Sequence, residues 1–66
     1  MEPKYPKIKV KLTSQNGNTL FLLGVVIRAM RKAGIDWEEC QTFKTEALSG
    51  NYDHFLQTAM KWVKVS

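Results

Sequence analysis

Apolar and polar residues alternate along the stretch from Lys7 to Leu12. Strict alternation is the period of a β-strand with one buried face, so the pattern predicts a first strand here. The apolar side carries Ile8, Val10 and Leu12, and the opposite side carries Lys7, Lys9 and Lys11. The strand is followed by a turn-rich segment, because Asn16-Gly17 is the strongest local turn signal of the chain.

The run that begins at Asn18 is the most apolar part of the chain and predicts a central helix over residues 18–33. The Asn18 side chain can accept a hydrogen bond from a free amide of the first turn, which makes it the expected N-cap. Cations crowd the last turns and Gly34 follows, as is typical of a helix C-terminus. The apolar run is far shorter than the roughly 20 residues of a membrane span, so a transmembrane helix is not expected.

A second helix is predicted over residues 36–48 by its starting sequence. Asp36 is the expected N-cap, and Glu39, three residues later, is expected to complete a capping box. Ile35 and Cys40 are placed for a hydrophobic staple across the same boundary. This is the best marked helix start in the chain.

A third helix, capped by Asn51, is predicted over residues 51–62. Its apolar face is expected to contain Tyr52, Phe55, Leu56, Ala59, Met60 and Val63. Residues 62–65 fit either a helix end or a short strand. Because an isolated strand leaves backbone groups unpaired, we expect the first strand to pair with residues 62–65 or with a strand from another subunit.

These elements predict the α+β class, with one strand packed on three helices in a single domain over residues 7–66. Residues 1–6, which contain two prolines, are expected to be flexible. The predicted core consists of Ile8, Val10, Leu12, Leu23, Val26, Ile27, Met30, Phe43, Phe55, Leu56 and Met60. A chain of 66 residues can form only a small core.

The net charge of +4 is unevenly distributed. Residues 1–34 have a net charge of +6 and residues 35–66 a net charge of −2. A basic half of this kind either attracts phosphate or acidic partners or is simply a solvated face. The single cysteine permits no intrachain disulfide, and the sequence shows no secretory signal or zinc pattern, which favours a reducing cytoplasm.

The lysine side of the first strand and the segment after it form a candidate binding site for an anion or partner. A strand, a glycine-bearing loop and a helix N-terminus can together bind phosphate. The candidate residues are Lys7, Lys9, Lys11, Gly17, Asn18 and Thr19. The segment lacks the spacing of a P-loop or a dinucleotide fingerprint. Capping and turn formation account for its loop residues, and lysines on a short strand also deter aggregation.

Three further residues are candidates for packing or oligomer contacts. Gly24 lies inside the central helix, where glycine costs on the order of 1 kcal/mol relative to alanine, so close approach of another helix is the expected compensation. Trp37 and Trp62 are large aromatic residues near the ends of elements, and such residues are enriched at interfaces.

Catalysis has a single candidate, the turn Tyr52-Asp53-His54. Asp53 is favoured in a first helical turn by the helix dipole, and Tyr52 belongs to the apolar face, so helix formation alone explains both residues. Catalysis also requires a matched nucleophile and base, which the turn does not supply. We therefore expect no catalytic residue, no metal site and no cofactor, and we expect Cys40 to be a buried, unreactive thiol.

Several sequence segments, which together span most of the chain from Lys7 onward, resemble those of a known group of proteins. They are Gly17-Asn18 after a strand, LGxVxxAxRxAG from Leu23, SGxYDHxL from Ser49, and MxWV from Met60. In these segments the sequence resembles a family of small bacterial proteins, also carried by phages and plasmids, that has no assigned activity. The resemblance implies a compact bacterial domain, with a mobile-element setting, and no catalytic motif.

The favoured function is a non-catalytic binding protein that offers a surface to another protein or to an anionic small ligand, as a homo-oligomer. A DNA- or RNA-binding regulator is the alternative, since the chain is basic and has three predicted helices. Against it, the second and third helices lack the Arg, Lys, Asn or Gln residues of a recognition helix in their first turns. A small enzyme that uses the Tyr52-Asp53-His54 turn is the third possibility.

Overall fold

The computed structural model describes residues 2–12 and 18–65, which form an α+β fold. The elements in chain order are β1 (Tyr5–Val10), α1 (Thr19–Lys32), α2 (Trp37–Ala47), α3 (Tyr52–Trp62) and β2 (Val63–Val65). The predicted fold class is confirmed, including the short strand at the C-terminal end. Of the helices in the described part of the chain, none combines the length and apolar character that crossing a membrane requires.

The two strands are parallel neighbours in one small sheet. The paired residues are Tyr5 with Val63, Lys9 with Lys64, and Val10 with Val65. Parallel strands need a long crossover connection, and here the three helices lie between the strands in the chain. The partner of β1 is therefore the chain's own C-terminal segment, and the helix ends at Trp62 where the strand begins.

β1 begins at Tyr5, two residues before the predicted start at Lys7. The pairing is irregular between Tyr5 and Lys9, and Pro6 lies in this interval. Proline has no backbone N–H to donate to a neighbouring strand, so within sheets it is found mainly at edges and at such irregular positions. The Lys4 amide also donates to the carbonyl of Lys61 at 2.8 Å. Part of the segment predicted to be flexible, residues 1–6, thus belongs to the sheet.

The cap of α1 follows the prediction. The Asn18 side-chain oxygen accepts from the amides of Leu20 at 2.9 Å and Phe21 at 3.4 Å. At the other end Gly34 has a φ of 93°, and the Ile35 amide donates to the carbonyl of Met30 at 3.0 Å. This bond and the one from the Gly34 amide to the Arg31 carbonyl together form a Schellman motif, for which glycine is favoured.

The capping box predicted at α2 forms only in part. Asp36 Oδ1 accepts from the Glu39 amide at 2.9 Å, as expected of an N-cap. The Glu39 carboxylate, which was expected to return to the Asp36 amide, instead accepts from Tyr5 and Lys4. The third cap is also confirmed, because Asn51 Oδ1 accepts from the amide of His54 at 2.9 Å.

The core lies where the sheet and the three helices meet. Its buried apolar residues are Ile8, Val10, Leu12, Leu22, Leu23, Val26, Met30, Cys40, Phe43, Ala47, Phe55, Ala59, Trp62 and Val63. Ile27 and Leu56, predicted as core residues, are half-buried at its margin. Met60 was wrongly predicted as a core residue, since 59% of it is exposed. The buried face of α3 runs through Phe55, Thr58, Ala59 and Trp62, which turns Met60 toward solvent.

Candidate binding surfaces

The outward face of the sheet is formed by lysines. Lys7 and Lys9 are exposed on β1, and Lys11 is exposed just beyond the strand. The sheet register places Lys64 of β2 opposite Lys9, and Lys64 is also exposed. Like charges directly opposite each other in a sheet are unfavourable, so the Lys9–Lys64 pair is not expected to stabilise the sheet.

The C-terminal part of α1 extends this cationic area. An open groove of about 240 Å³ between β1 and α1 is lined by Lys7 and Lys9 from the strand and by Lys32 from the helix, and Ile8, Ala29 and Ala33 complete its lining. The five residues Lys7, Lys9, Lys11, Lys32 and Lys64 are called the lysine surface below. In residues 2–12 and 18–65 the one ion pair joins Lys4 to Glu39, so none of these five lysines forms an ion pair with a described carboxylate.

Two of the helix-end residues predicted to join these lysines, Asn18 and Thr19, do not line the groove. Gly17 lies outside the described residues. Asn18 and Thr19 lie at the start of α1, about 20 Å of helix away from Lys32. Asn18 already accepts from two amides of the first turn. The groove therefore offers side-chain ammonium groups from a strand and a helix C-terminus, and not the free amides of a helix N-terminus.

A polar and aromatic cluster joins the start of β1 to the helices. The Tyr5 hydroxyl donates to the Glu39 carboxylate, and Lys4 Nζ lies 2.6 Å from the same oxygen. The hydrogen bond to the Glu39 carboxylate, assisted by partial burial, raises the pKa of Tyr5 to about 12. The contacts with Lys4 first and Tyr5 second hold the pKa of Glu39 below its usual range. Lys4 Nζ also lies 4.6 Å from the centre of the Trp62 ring.

Trp62, predicted as a packing or oligomer contact, packs within its own chain. Its ring centre lies 5.5 Å from that of Phe43, edge to face, and 6.2 Å from that of Tyr5. Its indole nitrogen donates to Glu46 Oε2 at 3.3 Å. Trp62 therefore connects α3, α2 and β1, which is why its side chain is almost fully buried.

The other two contact candidates lie at the surface. Trp37 is 58% exposed, and its ring centre lies 5.9 Å from the Arg31 guanidinium. A Cβ atom added to Gly24 would have no atom within 4 Å beyond its own helix backbone. Gly24 lines an open groove of about 290 Å³ with Leu20, Phe21, Val25 and Arg28. In the part of the chain that the structure describes, no second helix packs on Gly24, so the compensation expected for the cost of this glycine is not seen there.

His54 joins the end of α2 to the start of α3. Its Nε2 lies 2.8 Å from the Glu46 carbonyl oxygen and 3.0 Å from Ser49 Oγ. The carbonyl can only accept, so Nε2 carries the proton and cannot serve as a base for Ser49 in this arrangement. The ring also packs beside Gly50, where an added Cβ would come within 2.8 Å of it. These contacts give His54 a structural role.

Thiol and metal chemistry find little support in the described residues. Cys40 is fully buried, and burial raises the pKa of its thiol, which lowers its reactivity. In residues 2–12 and 18–65, no group of three or more His, Cys, Asp or Glu side chains is arranged to hold a metal ion.

Lys32 and Lys64 were missed as parts of the cationic site. The alternation Val63-Lys64-Val65 could have predicted the place of Lys64. A strand at this position puts both valines on one face and the lysine on the other. From the sequence, Lys32 is assigned only to the cations that complement the end of α1.

Comparison with protein-family models, with curated proteins and with solved structures finds no match to this chain.

Proposed function

We propose that this chain is a non-catalytic binding protein whose lysine surface engages an acidic surface of another protein. The observation that carries the proposal is the pairing of Lys9 with Lys64 across the exposed face of the sheet. An acidic partner relieves their repulsion and gains attraction from the neighbouring lysines of the groove.

The shape of the surface favours a protein over an anionic small ligand. Small-ligand sites enclose most of their ligand in a deep cavity with a few converging polar groups. The groove beside Lys7, Lys9 and Lys32 is open and shallow, and its polar groups are flexible ammonium ions that act as point charges. Such a surface suits an extended array of carboxylates.

The sequence resemblance adds a bacterial, mobile-element setting to the proposal. A reducing cytoplasm suits the buried, unpaired Cys40. The catalytic alternative is disfavoured, because the single histidine is held by the end of α2. The homo-oligomeric state stays a prediction that sedimentation analysis will test.

The proposal is tested by retention of charge-matched variants on immobilised polyglutamate in a salt gradient. The variant Lys9→Gln/Lys64→Gln removes two charges from the lysine surface. The control Lys44→Gln/Lys61→Gln removes two charges from exposed positions on α2 and α3. We expect the first variant to elute at clearly lower salt than the control, because charges that act together contribute most to binding.

Equal elution of the two variants would show that only net charge matters and would refute the proposal. The same gradient on immobilised double-stranded DNA and single-stranded RNA tests the nucleic-acid alternative. Much stronger retention on nucleic acid than on polyglutamate, lost in the Lys9→Gln/Lys64→Gln variant, would favour that alternative.

A further inference from the structure

The outer face of α1 exposes large apolar side chains. Leu20 is 66% exposed and Phe21 is 56% exposed, one turn before Gly24. Leu20, Gly24 and Arg28 are four residues apart and form one row along the helix, with Phe21 beside it. These four residues are called the α1 outer face below. Adjacent exposed apolar residues of this size, next to cations, are typical of an interaction site.

Gly24 lies in the middle of this face and forms a recess. The glycine lowers helix stability relative to alanine, and no neighbouring group within 4 Å of its hypothetical Cβ offsets that cost. A residue without a side chain lets the backbone of a second helix approach closely, while Leu20 and Phe21, one turn earlier, can pack against the side chains of that helix. The recess therefore fits a helix better than a flat surface.

The charge of α1 indicates what the partner helix should carry beside the cations. Arg28, Arg31 and Lys32 follow the apolar residues along α1, and the helix contains no acidic residue. A helix that lies antiparallel to α1 would place its own N-terminal turns beside these cations. Acidic residues are favoured in the first turn of a helix by its dipole. In an antiparallel helix, the same acidic residues would stabilise their own helix end and attract the cations of α1.

We propose that the α1 outer face binds an amphipathic helix of a second protein, antiparallel to α1, with acidic N-terminal turns and an apolar C-terminal half. This inference rests on the proposed function, because it names the form in which the acidic partner is recognised. Lys32 belongs to the lysine surface and lies one turn from Arg28, so the two surfaces adjoin.

Charge disfavours a second copy of this chain as the occupant. In an antiparallel pair of α1 helices, the cations of one copy would face the uncharged N-terminal half of the other, so they would gain no opposite charge. The acidic helix of the chain, α2, lacks the apolar half, since its exposed side carries Thr42, Lys44 and Thr45. A lipid surface would gain nothing from a recess at Gly24.

The test is selection from a displayed library of helical peptides of about 18 residues, which is about five turns. We expect the selected peptides to carry Asp or Glu in the first two turns and apolar residues at helical spacing in the rest. The affinity of the best peptide is then measured for four proteins: the wild type, Gly24→Leu, Phe21→Ala, and the control Thr45→Leu, which adds a leucine to the exposed side of α2.

Gly24→Leu fills the recess and is expected to leave the fold intact, since leucine has the higher helix propensity and its Cβ would meet no atom within 4 Å beyond the adjoining helix backbone. We expect it to weaken peptide binding by about tenfold or more, with no loss of thermal stability, as expected for the centre of an interface. Thr45→Leu should bind like the wild type. Phe21→Ala should also weaken binding by about tenfold or more, as truncation of an exposed anchor does.

The proposal is overturned if the selected peptides are basic or non-helical, or if Gly24→Leu binds them as tightly as the wild type. It is also overturned if the wild type forms a dimer that Gly24→Leu dissociates, or if phosphatidylglycerol vesicles bind through Phe21. If polyglutamate retention still depends on Lys9 and Lys64 in those cases, the proposed function of the lysine surface is kept and only the helix-binding inference is rejected. If the peptide results hold and retention does not depend on those lysines, only the lysine surface falls.

Discussion

Replacing Lys64 by glutamate is expected to stabilise the protein while weakening its binding to acidic partners. Lys64 lies opposite Lys9 on the exposed face of the sheet, so the substitution turns a repulsive pair into an attractive one. If the lysines serve binding and not stability, a substitution that raises stability should lower the affinity for an acidic partner.

The magnitude follows from Coulomb's law. Two unit charges about 6 Å apart in water interact by roughly 0.7 kcal/mol before screening, and salt at physiological strength removes a large part of it. Changing the sign of one charge removes the repulsion and adds the attraction. We therefore expect Lys64→Glu to gain about 1 kcal/mol in unfolding free energy at low salt, or a rise of about 4–8 °C in melting temperature for a domain of this size.

Thermal unfolding followed by circular dichroism, at low and at high salt, measures this effect. Lys64→Gln, which removes the repulsion without adding an attraction, should gain about half as much. The gain from Lys64→Glu should shrink in high salt, and it should also shrink in a Lys9→Gln background. A gain that is absent, or that is unchanged when Lys9 is replaced, would refute the pairing of the two lysines.

Four further changes test the fold. Phe43→Ala should cost about 3–5 kcal/mol in urea unfolding, because Phe43 is fully buried, and Ile27→Ala at the margin of the core should cost less. Asp36→Ala should cost about 0.5–2 kcal/mol in the same assay, without loss of the α2 helical signals in nuclear magnetic resonance. Glu39→Gln should lower the pKa of Tyr5 from about 12 toward 10.0, as measured by ultraviolet titration of a variant whose other tyrosine is replaced by phenylalanine. Because the pKa of Tyr5 is raised by folding, its contribution to stability is complete below about pH 10 and is lost as the pH rises toward 12, so this alkaline loss should be smaller in Glu39→Gln.

The helix ends could be predicted from the sequence because they depend on neighbouring residues. Asn18, Asp36 and Asn51 each cap the helix that follows them, and Gly34 ends α1 with a positive φ. Each of these features is determined by contacts within a few residues along the chain, and such contacts leave recognisable patterns.

Features that depend on distant parts of the chain were predicted only in part: the pairing of the two strands was expected as one of two alternatives, but the side-chain contacts that follow from it were not. Glu39 bonds with Tyr5, 34 residues away, in place of its own helix cap. Lys64 reaches Lys9 only because the two ends of the chain pair in parallel. Met60 was wrongly predicted to be buried, because the packing of Trp62 on α2 and β1 sets the rotation of α3.

The central claim, that the lysine surface binds an acidic partner, is tested most directly by nuclear magnetic resonance titration with a hexaglutamate peptide. Backbone and side-chain signals of Lys7, Lys9, Lys32 and Lys64 should shift together in a saturable, salt-sensitive way. Signals around His54 and Ser49 should stay in place. Shifts centred on His54, or shifts spread evenly over all exposed lysines including Lys44, would contradict the account.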